Sequence, residues 1–505
     1  MWQGVGESVV LIHATVKQDF DADVIVAGAG PAGAAAACHL ARCDASVIVL
    51  DRATFPRDKV CGDCVGPLAL VELGALGVSQ MEGYSQTNIG RRGALYLDGE
   101  ELISLRLPDL TEVPQCGRVI PRLTLDNLVV DAARQAGARV MEGFALADFS
   151  LQRGAVTVKA IGPSCGLTLR ARLLIGADGS SSAVARIMRG SPPPRRDRMV
   201  AARAYFTNVE GPQDQLDVYI SGGCFPGYCW LFPTGNGEAN VGLGIPIETL
   251  PPHEETPAVM LRRFLRDAPA LAARLRNASL RGRIVGWPLV TYNHRLPIVA
   301  DRLMLIGDAA GFINPLNGEG IQYALLSARW AAETVVSRLT DGDFSARALA
   351  PFAARVECEL GCDMALARLI VQYITNRALT PVWLRALKII TARACCDAEY
   401  ARIVAGIFAG LAPARDALNL KVVVGTIDQA AKSLAIKALF TALGGPRGWA
   451  ELGIDIAQVG FNFASDATAN PSGFIDWLTC TATGAIELVS QATWDAVVRL
   501  SRIRT

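Results

Sequence analysis

The sequence predicts an α/β protein with a Rossmann-like parallel sheet, an inserted antiparallel β-sheet domain and a helical C-terminal region. A short apolar strand at residues 23–27 opens onto glycines and an alanine-rich helix at 31–43, and another strand follows at 46–50. Strands alternate between residues 200 and 287, with frequent turn signals that favour an antiparallel sheet. From about residue 345 the hydrophobic pattern is that of helices.

The domain boundaries are predicted where these patterns change. Residues 122–138 place apolar side chains on one helical face, and residues 155–175 are typical of a hairpin around GPSCG. PPPRR at 192–196 predicts a linker, and the apolar strand at 303–306 leads back to a Gly-Asp turn, so the first domain should be discontinuous. The predicted parts are an N-terminal extension (1–21), the parallel domain (22–198 and 286–345), a substrate-binding β-layer (199–285, with parts of 65–118) and a helical region (346–505).

Composition excludes several classes of protein. The 505 residues are 51% hydrophobic, and the net charge is +1 with basic residues spread along the chain, which argues against nucleic-acid binding. Mean hydropathy is +0.28, but no run of about 18 uncharged apolar residues predicts a membrane span. The first twenty residues lack the basic segment of a signal peptide, so we expect a cytoplasmic protein. A peripheral membrane contact stays open, and the oligomeric state is not indicated.

The chain has 13 cysteines and four histidines. Cys61 and Cys64 form a CxxC pair, but no second pair repeats its spacing, so we expect no zinc or other metal site. Most cysteines in a cytosolic chain of this size are small buried hydrophobic residues. So few histidines also argue against catalysis that depends on a histidine base.

The first functional motif is GAGPAG at residues 28–33, a GxGxxG between a strand and a helix. Gly28 permits the tight turn, Gly30 lets the backbone approach a pyrophosphate, and Gly33 lets the helix pack on the strand. Asp51, at the end of the second strand, can accept a hydrogen bond from a ribose hydroxyl, and Arg52 is expected near the adenosine. The combination predicts dinucleotide binding, and a glycine-rich structural turn is the alternative.

Two more glycine–aspartate turns follow apolar strands, at residues 176–180 (GADGS) and 307–311 (GDAAG). The second continues to NGEGI, which opens another helix whose N-terminus can face a phosphate or the electron-rich edge of a flavin. Taken alone, each turn is equally compatible with an ordinary Asx turn. The residues that we expect to contact the cofactor here are Asp178, Gly307, Asp308, Gly318, Gly320 and Ile321.

Together these motifs resemble those of the para-hydroxybenzoate hydroxylase-like flavoproteins and, within that group, the geranylgeranyl reductase family. PRDKVCGD at 56–63 is similar to the KxCG segment that runs beside the isoalloxazine in the family. GYCWLFP at 227–233 is similar to the YxWxFP strand that lines its substrate cavity, and Arg122 matches its FAD-contacting arginine. The resemblance covers roughly residues 22–415 and implies that the Rossmann-like domain is of the glutathione-reductase type and binds FAD, with the inserted sheet as the substrate domain.

The resemblance also implies which residues contact substrate. Tyr228, Trp230 and Phe232 alternate along one strand and therefore share one face, where they are expected to line the cavity, and Tyr205 is expected to point into it. An aromatic stripe on a strand is equally compatible with core packing. Cys61 is a possible catalytic residue, and packing is again the alternative.

The expected function is that of an FAD-dependent oxidoreductase, either an alkene reductase or a monooxygenase. Its substrate would be a hydrophobic small molecule of isoprenoid or polyketide type, in secondary metabolism. Flavin chemistry belongs to the cofactor, whereas the protein controls access and orientation. Since no second GxGxxG is present, NAD(P)H is expected to bind only transiently, if it is the reductant.

Three alternatives stay open. A cyclase of the [4+2] type would keep FAD as a scaffold and hold the reactive ends of a polyene together without net redox change. A flavin halogenase needs a lysine between flavin and substrate and often carries WxWxIP, whereas this strand reads YxWxFP and no lysine lies between Lys59 and Lys159. The third alternative is a non-catalytic flavin-binding module, and the intact flavin and substrate motifs argue against it.

Overall fold

The computed structural model describes residues 20–107, 113–152, 154–250, 256–408, 416, 420–443, 464–465 and 467–503, so the predicted N-terminal extension lies outside the described residues as far as residue 19. The strands are β1 (Ala22–Ala27), β2 (Val47–Asp51), β3 (Cys64–Val65), β4 (Asn88–Gly90), β5 (Arg92–Leu97), β6 (Glu100–Arg106), β7 (Gly117–Val119), β8 (Arg139–Glu142), β9 (Ala145–Gln152), β10 (Ala155–Ile161), β11 (Gly166–Gly176), β12 (Arg198–Thr207), β13 (Gln215–Ile220), β14 (Tyr228–Gly235), β15 (Glu238–Pro246), β16 (Ser279–Val290), β17 (Val299–Ala300) and β18 (Leu303–Leu305). The helices are α1 (Pro31–Ala41), α2 (Pro67–Ala75), α3 (Arg122–Gln135), α4 (Ala183–Arg189), α5 (Pro257–Asp267), α6 (Pro269–Arg274), α7 (Gly307–Ala310), α8 (Ile321–Val336), α9 (Ala346–Ile374), α10 (Thr380–Cys396), α11 (Ala398–Phe408), α12 (Leu420–Leu443) and α13 (Pro471–Ile503).

The first sheet is parallel at its centre. Its strand order over the described residues is β17-β18-β11-β1-β2-β8, and the predicted hairpin is confirmed as β10 and β11, with β9 beside β10. Ala27 is level with Leu50 on one side and with Gly176 on the other, and Gly176 is level with Leu305. The segments that follow β1, β2, β11 and β18 therefore leave the sheet at one edge, where nucleotide-binding loops are expected.

Small residues allow close packing behind this edge. The strand β1 (ADVIVA) is a nearly continuous apolar run because both faces of a central parallel strand are covered. The helix α1 (PAGAAAACHLA) is buried over most of its length and packs against α3 and α8. Its alanines and glycine let the backbones approach, and the predicted helix at 31–43 ends at Ala41.

The second sheet has the strand order β16-β12-β15-β14-β13-β5-β6 over the described residues. Most neighbours are antiparallel, as predicted, but β5 and β13 pair in parallel, which departs from the expected pattern. The strand β16 continues to Val290, so the boundary predicted at residue 285 falls inside a strand. Apolar side chains of α5 and α6 cover one face of the sheet, and the small sheet β3-β7-β4 contacts β14.

The C-terminal region is helical where the structure describes it, as predicted. The helix α9 packs against α8, and α13 packs along α9, with the Trp477 indole donating to the Gln372 carbonyl at 2.8 Å. The helix α10 contacts β6, so the helical region also touches the second sheet. None of the helices in the described parts of the chain is long and apolar enough to cross a bilayer. Large apolar side chains of α13 that face outward are Ile475, Leu478, Ile486, Val489 and Trp494.

A buried ion pair on α3 generates a stability prediction. The fully buried Asp126 carboxylate accepts from Arg122 at 2.6 and 2.8 Å and pairs with Arg57 at 2.8 Å. Asp126→Ala leaves the buried Arg122 guanidinium without its counter-charge, so we expect the free energy of unfolding in urea to fall by about 3–5 kcal/mol. Asp131→Ala on the same helix removes an exposed pair with Arg134 and is expected to cost less than about 1 kcal/mol. Equal losses in the two variants would contradict this account.

Candidate active site

The three glycine-containing loops meet at the carboxyl edge of the first sheet. Gly28 has φ +101°, and a Cβ atom there would lie 2.4 Å from the Ala177 carbonyl oxygen. A Cβ atom on Gly33 would lie 1.8 Å from the Gly28 carbonyl oxygen, and one on Gly307 would lie 2.7 Å from the Ala32 Cβ. These clashes show that glycine is required for the loops to pack against one another.

An ion pair joins these loops to the PRDKVCGD segment. The Lys59 Nζ lies 3.0 Å from the Asp308 Oδ2, and the Ser180 hydroxyl donates to the same oxygen at 3.3 Å. Burial alone would raise the pKa of Asp308, but the Lys59 ammonium outweighs it, so that this pKa lies below its ordinary value. Asp308 is therefore a charged acceptor. The role of Lys59 was not predicted from the sequence, although a lysine in the segment expected beside the flavin was the available signal.

The geometry of this edge fits FAD. A Cβ atom on Gly30 would meet a single described atom within 4 Å, the Arg57 Nη2 at 3.5 Å, so the space in front of this loop is open. The helices α1 and α8 begin here without a side-chain cap, which leaves backbone N–H groups and the positive ends of two helix dipoles for anionic groups. The N-terminus of α1 would hold the pyrophosphate, and Asp308 would accept from a ribityl hydroxyl.

The predicted ribose ligand Asp51 lies at this edge but also has a structural role. Its two carboxylate oxygens accept hydrogen bonds from the Ala29 and Ala53 backbone N–H groups, each at 2.8 Å. Asp51 therefore holds the GxGxxG loop against the end of β2, and each oxygen keeps a lone pair for a hydroxyl. Arg52 is exposed beside it. The contacts of both residues with FAD stay predictions.

Asp178 and Arg122 also have partners within the protein. The Asp178 carboxylate accepts from the Ser182 hydroxyl and from the backbone N–H groups of Ala183 and Val184, and so caps α4. Arg122 is held by Asp126. Direct contacts of Asp178 and Arg122 with FAD stay predictions.

Tyr228, Trp230 and Phe232 on β14 form what we call the aromatic wall. The ring centroids of Tyr228 and Trp230 are 6.1 Å apart and those of Trp230 and Phe232 are 6.2 Å apart, so the three share one face. A Cβ atom on Gly62 would lie 3.3 Å from the Phe232 ring and 3.4 Å from the Trp230 Nε1. The aromatic wall therefore faces the loop of the PRDKVCGD segment, and glycines at 242 and 244 on β15 leave room for its rings.

Asp63 connects this loop to the second sheet. Its Oδ2 accepts from the Tyr205 hydroxyl at 2.5 Å and from the Asn240 side-chain amide at 2.8 Å. Asn240 also donates to the Cys61 carbonyl at 2.7 Å and accepts from the Trp230 indole at 3.0 Å. Tyr205, predicted to contact substrate, thus has its hydroxyl committed to Asp63. Asn240 and Asp63 were missed, although the alternation of Asn240 with glycines on β15 was a usable signal.

Cys61 lies at the turn of the PRDKVCGD segment and is partly buried. Burial raises the pKa of its thiol, and burial raises that of the Cys64 thiol to about 12, so both cysteines are neutral at physiological pH. A thiolate nucleophile is disfavoured at either position. The Cys61 Sγ accepts from the Asp63 backbone N–H at 3.3 Å, and a direct chemical role for Cys61 stays a prediction.

Gly30 provides a test of the predicted FAD position. Because an added side chain would meet almost no protein atom, Gly30→Val should leave the urea unfolding free energy of the flavin-free protein within about 0.5 kcal/mol of wild type. The same side chain would occupy the pyrophosphate space, so we expect the dissociation constant for FAD to rise at least about tenfold. In contrast, Gly33→Ala collides with the Gly28 backbone and should destabilise the fold itself. Gly30→Val protein that stays fully yellow after desalting would place FAD elsewhere.

Asp63 provides a pH-dependent test. Burial raises the pKa of its carboxyl from 3.8 to about 6, so between about pH 4 and 6 the folded protein keeps a proton that the unfolded chain has released. Its contribution to stability is therefore lost as pH rises through this window, by about 3 kcal/mol in total. The side chain of the Asp63→Asn variant cannot ionise. Between pH 4 and 7 the unfolding free energy of wild type in urea should therefore fall by about 3 kcal/mol relative to that of the variant. A constant difference between the two proteins would exclude the effect.

Comparison with known proteins identifies an FAD-binding family. Residues 21–340 match the family model described as FAD binding domain. The chain is 34% identical over 328 residues to the menaquinone reductase of Mycolicibacterium smegmatis, covering 63% of this chain and 76% of that protein. It is 31% identical over 345 residues to digeranylgeranylglycerophospholipid reductase 2 of Methanopyrus kandleri, covering 67% and 83%.

Solved structures share the fold. A geranylgeranyl bacteriochlorophyll reductase-like protein from Thermoplasma acidophilum superposes with a TM-score of 0.62 at 24% identity, covering 70% of this chain and 88% of that one. A flavin-dependent brominase superposes with a TM-score of 0.65 at 18% identity, covering 82% and 98%. These likenesses confirm the predicted α/β fold. The chain belongs to the FAD-binding domain family and, within its para-hydroxybenzoate hydroxylase-like branch, is an FAD-dependent oxidoreductase of the geranylgeranyl reductase family.

Proposed function

We propose that this protein reduces a carbon–carbon double bond in the isoprenoid chain of a lipid. The observation that carries the proposal is the aromatic wall, which faces the Cys61–Gly62 loop within the FAD-binding half of the molecule. Relatives named menaquinone reductase and digeranylgeranylglycerophospholipid reductase support it, since both named molecules contain isoprenoid chains. A role in secondary metabolism stays a prediction.

The chain's own residues account for binding and orientation. The partly exposed rings of Tyr228 and Phe232 offer an apolar surface on which an isoprenoid chain would be removed from water, and the buried Trp230 supports them from between. Hydrogen bonds from Trp230 to Asn240, and from the Tyr228 hydroxyl to the Asn317 carbonyl at 2.6 Å, fix the ring positions. The substrate would therefore meet aromatic carbon atoms, because the Tyr228 hydroxyl and the Trp230 indole N–H are already hydrogen-bonded within the protein.

When bound, reduced FAD supplies the hydride for such a reduction. Lys59 and Ser180 hold the Asp308 carboxylate at the edge where the cofactor is expected, so the charge that would meet a ribityl hydroxyl is positioned in advance. The reductant that regenerates the cofactor is proposed to be a nicotinamide that binds transiently.

Product mass tests the proposed reaction. The purified holoenzyme is reduced anaerobically and incubated separately with menaquinone and with a geranylgeranyl lipid, and products are weighed by mass spectrometry. We expect a gain of two hydrogens in at least one substrate, and for menaquinone this gain should persist after air has reoxidised the quinol ring to the quinone. A gain of one oxygen after exposure to air would indicate a monooxygenase instead, and an isomer of unchanged mass would indicate a cyclase.

Trp230→Ala tests the aromatic wall. Loss of this buried apolar surface should raise KM for the accepted lipid by roughly ten- to a hundredfold, equivalent to about 1.5–3 kcal/mol. Flavin content and the anaerobic bleaching of the flavin by reductant should stay close to wild type in the folded variant. Trp494→Ala is the matched control because Trp494 is 56% exposed on α13. An unchanged KM in Trp230→Ala would show that β14 does not line the substrate site.

A further inference from the structure

Glu319 lies in the turn that leads into α8, between the FAD-binding edge and the aromatic wall. Its backbone is fixed, because its N–H donates to the Asn317 side-chain oxygen at 2.9 Å and its carbonyl accepts from the Asn314 N–H at 2.8 Å. A Cβ atom on Gly66 would lie 3.2 Å from the Glu319 Oε1, and one on Gly318 would lie 2.9 Å from the Tyr228 hydroxyl. The Glu319 side chain is partly buried, and its carboxyl lies between the segment that follows β3 and the end of the aromatic wall.

Within the described part of the chain, the Glu319 carboxyl forms no hydrogen bond and no ion pair. The titratable groups around it are Cys64 on β3, Tyr228 on β14 and Tyr323 on α8, and burial raises the pKa of each. All three are neutral at physiological pH, so none compensates a negative charge. Burial accordingly raises the pKa of Glu319 to about 8, and the carboxyl keeps its proton at neutral pH.

Other acidic groups of the site are engaged. Asp308 is ionised beside Lys59, and Asp63 is bonded to Tyr205 and Asn240 on the far side of the PRDKVCGD loop. The Tyr228 hydroxyl donates its proton to a backbone carbonyl. Among the described residues at the site, Glu319 is thus the carboxylic acid that carries a proton and has no partner for it.

We propose that Glu319 is the general acid of the reaction proposed above. The π electrons of the substrate double bond form a new C–H bond with the Glu319 proton at one carbon. When bound, the reduced cofactor would supply the hydride for the second C–H bond, at the other carbon, and a nicotinamide-class donor would restore its reduced state. The substrate thus gains two hydrogens and two electrons, and the Glu319 carboxylate recovers its proton from water.

The inference rests on the proposed function, and Glu319→Gln tests it because the amide keeps the size of the carboxyl but cannot donate an acidic proton. We expect reduction of the lipid by the holoenzyme to fall by about 10²- to 10⁴-fold. Flavin content, lipid binding and the rate of flavin bleaching by reductant should stay within twofold of wild type. Glu319→Asp should recover part of the lost rate, since it restores an acid at a greater distance.

Glu333→Gln is the matched control, because Glu333 lies on α8, the helix that follows Glu319, and pairs with Arg329 and Arg355 at the surface. It should keep wild-type turnover. A readout independent of turnover is the infrared carbonyl absorption of a protonated carboxyl, which should disappear as pH rises through about 8 in wild type and in Glu333→Gln. That absorption should be missing in Glu319→Gln.

The outcomes separate the two proposals. If wild-type holoenzyme adds no hydrogen to either lipid, the proposed reaction fails and the role of Glu319 fails with it. If wild type reduces the lipid and Glu319→Gln does so within twofold of the same rate, the general acid is wrong and the proposed reaction stands. Persistence of the titrating infrared absorption in Glu319→Gln would likewise overturn the assignment to Glu319.

Discussion

The ion pair between Lys59 and Asp308 determines how the parts of this site face one another. It links residues 249 positions apart in the chain, at the point where the loops after β1, β11 and β18 converge. Both side chains are mostly buried, with 20% and 16% of their surface exposed, so either charge alone would bear a desolvation cost. Pairing keeps Asp308 ionised and holds the PRDKVCGD segment across the edge of the sheet.

The other side of that segment is held by Asp63. This residue has φ +62°, a left-handed conformation that is uncommon outside glycine, and one of its carboxylate oxygens is buried without a partner. The left-handed backbone and the unpartnered oxygen both cost stability. The hydrogen bonds from Tyr205 and Asn240 to Asp63 hold the residue in this conformation. The result is a rigid turn at Gly62 beside the aromatic wall. Local strain is thus associated with the contact between the FAD-binding sheet and the second sheet.

The two carboxyls on the cofactor side of the site are driven to opposite protonation states by their surroundings. Lys59 favours the charged form of Asp308, whereas Glu319 has no cation and burial favours its neutral form. A site that needs a fixed negative acceptor for a hydroxyl and a separate source of protons can obtain both from carboxyl groups in this way. The proposed reduction uses this difference, because Asp308 would accept a hydrogen bond from the cofactor while Glu319 would donate a proton to the substrate.

The sequence by itself determined the local elements and the family. Buried parallel strands are short continuous apolar runs, and the β1-α1-β2 unit, the hairpin of β10 and β11 and the helix α3 all follow from periodicities within about 20 residues. The glycine motifs predicted the FAD-binding edge because the backbone must turn sharply and approach a phosphate there. Tertiary structure decided the parallel pairing of β5 with β13, the partners of Lys59, Asp63 and Asn240, and the isolation of Glu319. These features depend on contacts between distant segments and on burial, and a carboxyl's pKa is set by neighbours that no local pattern specifies.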